Sequence, residues 1–216
     1  QEFYSSPKID DLQCAFTSKE AFLQAENTGM SKVLAVFDNE EVGSGTKQGA
    51  KSTFLADVLA RIQESLSLTR GESIRQLASS MMLSADNGHA MHPNHTDKAD
   101  PTNAPCLNGG VLIKYNANQK YTTDGIAEAL FKKTLRKAEI PYQEYTNRSD
   151  IAGGSTLGNL SNEKVSLNTV DMGAAQLAMH SAYETGGTRD TVSLMEGIRA
   201  FYETRIQMEK DGKYCC

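Results

Sequence analysis

The alternation of short apolar runs with longer amphipathic segments constrains the fold of this chain more than any other feature. Residues 33–37, 81–85 and 110–114 form compact apolar or β-favouring runs, as strands buried in a sheet do. From residue 48 to 66 apolar residues recur every four positions, which predicts a helix. Because strands that alternate with helices favour parallel pairing, the sequence predicts an α/β fold, a three-layer sandwich around a mostly parallel sheet.

The alternation continues along the C-terminal half of the chain. Periodicity predicts helices near 123–137 and 190–207, and strands near 142–146 and 169–172. The small residues at 153–156 predict a turn before a short helix. A chain of 216 residues is long enough for one compact domain with a sizeable core.

The composition argues against several classes of partner and location. The net charge of −5 disfavours nucleic acid and anionic membrane surfaces as principal partners. No apolar run approaches the roughly 20 residues of a membrane span, and residues 1–11 lack the apolar core of a secretion signal. The four cysteines do not suggest a disulfide framework, so we expect a reducing, cytoplasmic location.

The segment DNEEVGS at 38–44 places three carboxylates directly after the first apolar run. A solvated acidic loop is the simplest interpretation of such a triplet. Neighbouring side chains in loop backbone project to different sides, so Glu41 could bind a metal while Glu40 faces a water on that metal. Hydrolysis of an amide needs this combination of a Lewis acid and a carboxylate that accepts the proton of the water.

A second cluster of polar residues follows the run at 81–85. Asp86, His89, His92 and His95 fall within ten residues of a chain that has only four histidines. No cysteine pair accompanies them, which excludes the common zinc-finger patterns, and the HExxH motif of simple zincins is absent. This concentration of imidazoles in a long polar loop indicates a functional segment.

Two further positions are ambiguous when considered alone. His180 would ordinarily be a core or capping residue, and Asp10 and Asp11 would ordinarily cap a helix. Spacing cannot link these residues to the two clusters. The residues by themselves therefore predict a metal-dependent hydrolase that uses Asp, Glu and His.

Several strings of the sequence together closely resemble the aspartyl aminopeptidase (aminopeptidase I) family of zinc metallopeptidases. They occur in the order of the family and cover nearly the whole chain. The strings are SSPKIDDLQCAF, VFDNEEVGSGTKQGAKS, LSADNGHAMHPNH, GGVLIKYNANQKYTTDGIAEALF, NRSDIAGGSTLG and VDMGAAQLAMHSAYE.

The resemblance implies a role for each matching position. Asp10 corresponds to an aspartate that bridges two zinc ions, Glu41 and His180 to ligands of one zinc, and Asp86 to a ligand of the other. Glu40 corresponds to the general base and His92 to a histidine that stabilises the tetrahedral intermediate. The implied substrate-pocket residues are His89, Lys114, Tyr121, Gly154, Ser155 and Thr156, with Lys114 placed to pair with an acidic side chain.

The resemblance therefore implies a metal-dependent aminopeptidase that removes N-terminal residues, preferably Asp or Glu, from peptide substrates. It implies two zinc ions, for which cobalt or manganese could substitute, and a homo-oligomer, commonly a dodecamer. No nucleic-acid or membrane partner is expected. The alternative is a non-catalytic assembly or binding module that keeps the peptidase fold but lacks a complete metal centre.

The sequence departs from the family pattern at one zinc ligand. The family has a further histidine ligand in an HTD-like motif far upstream of the bridging aspartate, and no such motif precedes Asp10 here. We therefore expect residues 1–216 to be an incomplete catalytic domain without the N-terminal segment and the inserted dimerisation domain of the family. The remainder would lie in a longer polypeptide or on a companion chain. Alone, the chain should bind one metal more tightly than the other and hydrolyse peptides poorly.

A second departure concerns the bridging position and its surroundings. Asp11 stands where the family often has Asn, which leaves a choice of two aspartates, and we assign the bridge to Asp10. Asn87 and Gly88 replace the more usual Met and Ala after Asp86.

Overall fold

A computed structural model describes residues 2–209 and 211–216 of the chain. The helices are α1 (Ile9–Gln24), α2 (Phe54–Ser65), α3 (Arg70–Ala78), α4 (Gly125–Lys137), α5 (Leu157–Asn162) and α6 (Thr188–Glu203). The strands are β1 (Phe3–Ser6), β2 (Met81–Ala85), β3 (Gly88–His89), β4 (Val111–Tyr115), β5 (Tyr142–Thr146), β6 (Asn168–Gly173), β7 (Ala175–Leu177), β8 (Glu184–Gly187), β9 (Gln207–Met208) and β10 (Tyr214–Cys215).

The central sheet has four strands in the order β2-β6-β4-β5. The pairs β2–β6 and β4–β5 are parallel and β4–β6 is antiparallel, so the predicted mostly parallel sheet is confirmed. A second sheet, in the order β1-β8-β7-β3, continues from the first, because β3 follows β2 and β7 follows β6. The parallel ladder therefore extends through Asp86 and Gly88, whose amides donate to Met172 and Ala174.

Helices α1, α4 and α6 cover one face of the central sheet, and α5 lies on the other face. The main core forms between the sheet and the three helices from large side chains that are almost completely buried. These include Val111, Ile113, Phe131, Leu135, Val170, Met172, Leu194 and Ile198. Each such side chain contributes about 1.5–3 kcal/mol when it is removed from water, so this layer is the main source of stability. The predicted α/β layered architecture is therefore confirmed.

Two predicted elements differ from the structure. Residues 33–37 form no strand, and Val33 and Val36 are 42% and 61% exposed. The predicted helix at 48–66 begins only at Phe54, because residues 44–51 fold back on themselves through a hydrogen bond from the Lys51 amide to the Ser44 carbonyl. Periodicity is a local signal, and neither the missing sheet partner nor this turn is encoded in it.

Among the described residues, no helix is long and apolar enough to cross a membrane.

Gly173, at the end of β6, packs against the backbone that joins β2 to β3, and there is no room for a side chain at this position. A Cβ atom added there would lie 2.1 Å from the carbonyl oxygen of Asp86. We expect Gly173→Ala to lower the free energy of unfolding by about 2 kcal/mol, since the two backbones would have to separate. Urea unfolding followed by circular dichroism measures this change.

The matched control for that substitution is Gly125→Ala. Gly125 is the first residue of α4, and an added Cβ would meet no atom within 4 Å. The control should leave stability unchanged or raise it by up to about 1 kcal/mol, because alanine favours helix. Equal effects of the two substitutions would show that β6 and the β2–β3 backbone can separate at Gly173 without a loss of stability.

Candidate metal centre

The predicted metal ligands come from four separate parts of the fold and meet at one end of the sheet. Asp10 lies in the first turn of α1, and Asp86 directly follows β2. Glu41 lies in a single 3-10 turn, Glu40–Val42, and His180 lies in the connection between β7 and β8. Ligands in α/β sheets bind beyond the carboxyl ends of parallel strands, and the residues lie at that edge of the β2–β6 pair.

One group of possible ligand atoms combines two carboxylates with an imidazole. His180 Nε2 lies 3.1 Å from Asp10 Oδ2 and 3.0 Å from Glu41 Oε2. The Asp10 side chain is 3% exposed, whereas those of Glu41 and His180 are 55% and 61% exposed. Asp10 therefore forms the floor of the group, and the other two residues are accessible from solvent.

A second group shares Asp10 with the first. Asp10, Asp11 and Asp86 each offer a carboxylate oxygen within 4.8 Å of the others. The peptide bond between Asp10 and Asp11 is cis. Asp11 was not among the predicted ligands, and the only sequence signal for it is the pair of adjacent aspartates at this position.

The acidic residues of the centre repel one another and are partly removed from water. Burial, followed by the negative charges of Asp86 and Glu41, raises the pKa of Asp10 to about 7. The same causes raise the pKa of Glu40 to about 7. Burial and the charge of Asp86 raise the pKa of Asp11 well above its ordinary value. A cation placed among these carboxylates would offset both their mutual repulsion and their loss of hydration.

The hydrogen bonding of the two aspartates also fits a cation. Asp10 Oδ1 and Asp11 Oδ1 are buried and accept no hydrogen bond within the described part of the chain. A buried carboxylate oxygen without a partner is costly, and a metal ion is one of the few ways to satisfy it. Carboxylate and imidazole donors are ligands that zinc accepts in proteins, so the donor set fits zinc.

Glu184 is a residue of the centre that sequence reasoning missed. Its side chain is almost completely buried, and it accepts hydrogen bonds from the backbone amides of Asp10, at 3.0 Å, and His180, at 2.7 Å. His180 has a φ of 65°, in the left-handed region that non-glycine residues rarely adopt. One carboxylate thus fixes the backbone of two candidate ligands that are far apart in sequence.

Lys114 lies beneath the centre rather than in open contact with it. The residue is 1% exposed, and its Nζ donates to Asp86 Oδ2 at 2.8 Å and to the Asn87 carbonyl at 3.1 Å. Burial alone would lower the pKa of Lys114, but the charge of Asp86 and the nearby Tyr121 hydroxyl raise it above its ordinary value. In this arrangement the ammonium neutralises Asp86, so the predicted pairing of Lys114 with an acidic substrate stays a prediction.

A cavity of about 1030 Å³ opens over the metal-ligand groups. His92 lines it and accepts a hydrogen bond on Nδ1 from the Asn94 amide, which places the proton of a neutral imidazole on Nε2. Burial lowers the pKa of His89, which favours the neutral form of its imidazole. Of the predicted site residues, those that line the cavity are Asp10, Glu40, Glu41, Asp86, His89, His92, Tyr121, Gly154, Ser155, Thr156 and His180.

Asp171 organises the wall of this cavity and was also missed from sequence. It is completely buried in β6 and accepts hydrogen bonds from the Thr122 amide and, at 2.5 Å, from the Thr156 hydroxyl. Its own amide donates to Thr123 at 2.9 Å. These bonds join the loop that carries Tyr121 to the start of α5, so one side chain sets the spacing of the two predicted pocket segments.

The chain is similar over most of its length to proteins of one family. A family model described as aminopeptidase I zinc metalloprotease (M18) matches residues 1–202. A probable M18 family aminopeptidase 2 of Clostridium novyi is 45% identical over 201 residues, which cover 93% of this chain and 46% of that protein. A probable aspartyl aminopeptidase of Ricinus communis is 37% identical over 210 residues, which cover 94% of this chain and 43% of that protein.

A solved structure shows the same relation. The S. cerevisiae mApe1 dodecamer superposes with a TM-score of 0.81 at 28% identity, over 94% of this chain and 46% of that chain. The chain therefore spans about half the length of the relatives that it matches.

Proposed function

The chain belongs to the aminopeptidase I family of zinc metalloproteases, and from this membership we propose that it removes N-terminal residues, preferably Asp or Glu, from peptides. The observation that carries the proposal is the pair of ligand groups that share Asp10, one of them containing His180. Shared carboxylates of this kind reduce the repulsion between two cations about 3.5–4 Å apart. The name of the Ricinus communis relative supports the preference for acidic residues.

In the proposed centre two zinc ions would share Asp10 as a ligand, Glu41 and His180 would hold one of them, and Asp86 would hold the other. Bound zinc would supply a Lewis acid that polarises a carbonyl group and makes a bound water more acidic. Cobalt or manganese could replace zinc, because both accept carboxylate and imidazole ligands.

Glu40 is the proposed general base. It is the neighbour of Glu41 and lines the same cavity, so its carboxylate can face a water that lies beside the ligand group. Glu40 accepts a proton from the attacking water and later donates it to the leaving amine. His92 donates from Nε2 to the oxygen that becomes negatively charged in the tetrahedral intermediate.

The proposed substrate pocket is formed by His89, Tyr121 and the turn at Gly154, Ser155 and Thr156. Lys114 is proposed to supply the positive charge for an acidic substrate side chain. A cation at Asp86 would compete with the ammonium for that carboxylate and leave Lys114 available to the substrate. Opposite charge in a pocket is a general way to select a substrate.

A homo-oligomer is also proposed, on the evidence of the dodecameric neighbour, and a cytoplasmic location stays a prediction. The non-catalytic alternative has no observation in its favour among the described residues, since the carboxylates and the imidazole of the centre converge.

A panel of chromogenic aspartyl, glutamyl and leucyl substrates tests the proposed function. We expect the acidic substrates to be cleaved faster, and a chelator to abolish cleavage until zinc is restored. The assay should include the chain both alone and together with the part of the Clostridium novyi relative that it does not cover. Cleavage that persists in the chelator, or no cleavage in either form, would contradict the proposal.

Zinc titration of the isolated chain should reveal two unequal sites. The site with Asp10, Glu41 and His180 offers an imidazole, whereas the other offers only carboxylates and must compete with Lys114 for Asp86. We expect dissociation constants that differ by at least about tenfold, which corresponds to about 1.4 kcal/mol. Isothermal titration calorimetry measures both constants.

His180→Ala serves as the control for the titration, because it should remove the tighter site and spare the weaker one. Two sites of equal affinity in the unmodified chain would show that the expected deficiency is wrong.

A further inference from the structure

Asn87 is a buried polar residue to which the proposed function assigns no role. It is one of the positions at which the sequence departs from the family pattern, it directly follows Asp86, and it is 3% exposed. A buried amide group without partners destabilises a fold, so its hydrogen bonds indicate what the residue holds in place.

The Asn87 side chain is anchored to the sheet at the connection between β6 and β7. Its Oδ1 accepts a hydrogen bond from the Ala174 amide at 2.9 Å. Because a backbone amide can only donate, this bond fixes which way round the Asn87 amide group lies. Its Nδ2 then donates to Gln176 Oε1 on β7 at 2.8 Å. The connection that follows β7 carries His180, so the anchor lies close in sequence to a candidate ligand.

The same amide group is also anchored to α1, one turn after the two adjacent aspartates of that helix. Asn87 Nδ2 donates to Gln13 Oε1 at 3.0 Å, and Asn87 Oδ1 accepts from the Cys14 thiol at 3.3 Å. Gln13 and Cys14 are themselves buried, so these bonds lie inside the protein. They connect the strand end that carries Asp86 to the helix that carries Asp10 and Asp11.

The backbone of the two aspartates is not fixed by regular helical geometry. Asp10 has φ −82° and ψ 109°, and Asp11 has φ −124° and ψ 35°, although both lie within α1. On their N-terminal side the Ile9 carbonyl lies 3.5 Å from Asn87 Nδ2. Asn87 therefore contacts α1 both before and after the two aspartates.

The Asn87 amide group uses its full hydrogen-bonding capacity in this network. Nδ2 donates to two side-chain oxygens, and Oδ1 accepts from an amide and a thiol. Buried polar networks in which every group has a partner are rigid and specify one arrangement of the elements that they join. Here the joined elements are α1, the end of β2 and the start of β7.

We propose that Asn87 is a positioning residue of the metal centre, which sets the distance between Asp86 and the aspartates of α1. This role rests on the proposed two-zinc function. Because Asp86 directly precedes Asn87, the anchors of the Asn87 side chain also fix the backbone from which the Asp86 carboxylate projects. Glu184 holds the other part of the centre, through the backbone amides of Asp10 and His180.

This division of roles predicts which zinc site depends on Asn87. Without its anchors Asp86 could shift relative to α1, and the site that contains Asp86 would lose affinity. The site of Glu41 and His180 would change less, since Glu184 would still hold the Asp10 and His180 backbones. A general loosening of the fold would instead weaken both sites alike.

Asn87→Leu tests the proposal by calorimetric zinc titration of the chain, without substrate. Leucine has nearly the same shape but makes none of the side-chain hydrogen bonds, and the backbone carbonyl that accepts from Lys114 at 3.1 Å remains. We expect the affinity of the site that contains Asp86 to fall at least about tenfold, as for other residues that orient metal ligands. The ratio of the two zinc dissociation constants should therefore rise.

Gln13→Met is a milder variant, and it decides the question if the leucine variant does not fold. Methionine is similar in length to glutamine but cannot accept the hydrogen bond from Asn87 Nδ2. The bonds of Asn87 to Ala174 and Gln176 would remain. Gln13→Met should raise the same ratio of dissociation constants by a smaller factor.

Gln63→Met is the matched control. Gln63 is another buried amide, 7% exposed, and it joins α2 to α3 by donating to Gln76 Oε1 at 2.9 Å. Its replacement should lower the urea concentration at the midpoint of unfolding, because Gln76 would lose its donor. It should leave the ratio of the zinc constants unchanged, since neither helix carries a proposed ligand.

Two results would overturn the role of Asn87 while leaving the two-zinc centre intact. One is an unchanged ratio of the zinc constants in both Asn87→Leu and Gln13→Met, even if both sites weaken together. The other is an equal rise of the ratio in Gln63→Met. Fewer than two zinc sites in the unmodified chain would contradict the proposed centre itself, and the role of Asn87 with it.

Discussion

Glu40→Gln is expected to lower hydrolysis of aspartyl and glutamyl substrates roughly a thousandfold while zinc binding remains unchanged. Glutamine keeps the size of the side chain but cannot accept the proton of the attacking water, and general-base catalysis commonly contributes a factor of 10²–10⁴. Glu40 is not a member of either ligand group, so its loss should not remove a zinc ligand. The effect should appear in kcat, since the proton is transferred in the chemical step.

Glu41→Gln is the informative comparison for this experiment, because the two residues are neighbours in the same short turn. It should weaken zinc binding and lose activity that higher zinc concentrations partly restore, whereas added zinc should not rescue Glu40→Gln. Turnover by Glu40→Gln within about tenfold of the unmodified enzyme would exclude the proposed base.

Those elements of the fold whose signal is local could be predicted from the sequence. β2 and β5 occupy the predicted ranges. Their signal is a short apolar or alternating run bounded by turn residues, and all of that signal lies within the segment itself. The run at 33–37 carries the same signal but forms no strand, since a strand also needs a neighbour to bond with. Sheet pairing is a property of two segments, and no segment among the described residues pairs with residues 33–37.

The same distinction between local and tertiary signals applies to the candidate site. Asp10, Glu41, Asp86 and His180 are proposed to act through their side chains, so their resemblance to the family motifs was enough to select them as candidates. Glu184 acts through backbone amides, and one of its bonds joins residues 174 positions apart. Residue type and spacing do not indicate a hydrogen bond of this kind.

Asp171 and Lys114 illustrate the same limit for buried charges. The sequence places Asp171 at the end of an apolar strand and suggests nothing about the Thr122 and Thr156 groups that it binds. For Lys114 the family motif indicates a pocket residue, whereas the structure adds a contact of 2.8 Å with Asp86 that competes with that role. Electrostatic partners depend on which strand lies beside which, and that order follows from the tertiary fold.

Glu184→Gln is expected to weaken zinc binding at the site of Asp10, Glu41 and His180 by about 10–100-fold, although Glu184 is not itself a proposed ligand. Each of its carboxylate oxygens accepts one backbone amide, from Asp10 and from His180. Glutamine has the same shape but only one acceptor oxygen, so its amide nitrogen would face an N–H donor and one bond would be lost. The His180 backbone, with its φ of 65°, would then be less firmly fixed.

Calorimetric zinc titration measures the effect, and the exposed Glu163→Gln is the matched control, which should bind zinc normally. Urea unfolding of the metal-free chain shows whether the substitution also weakens the fold. If Glu184 acts by holding the Asp10 and His180 backbones in place, zinc affinity should fall by more than the stability of the metal-free chain. Unchanged affinity in Glu184→Gln would show that the backbones of Asp10 and His180 are held in place without this carboxylate. A fall in affinity matched by an equal fall in metal-free stability would indicate that Glu184 supports the fold and not the metal centre in particular.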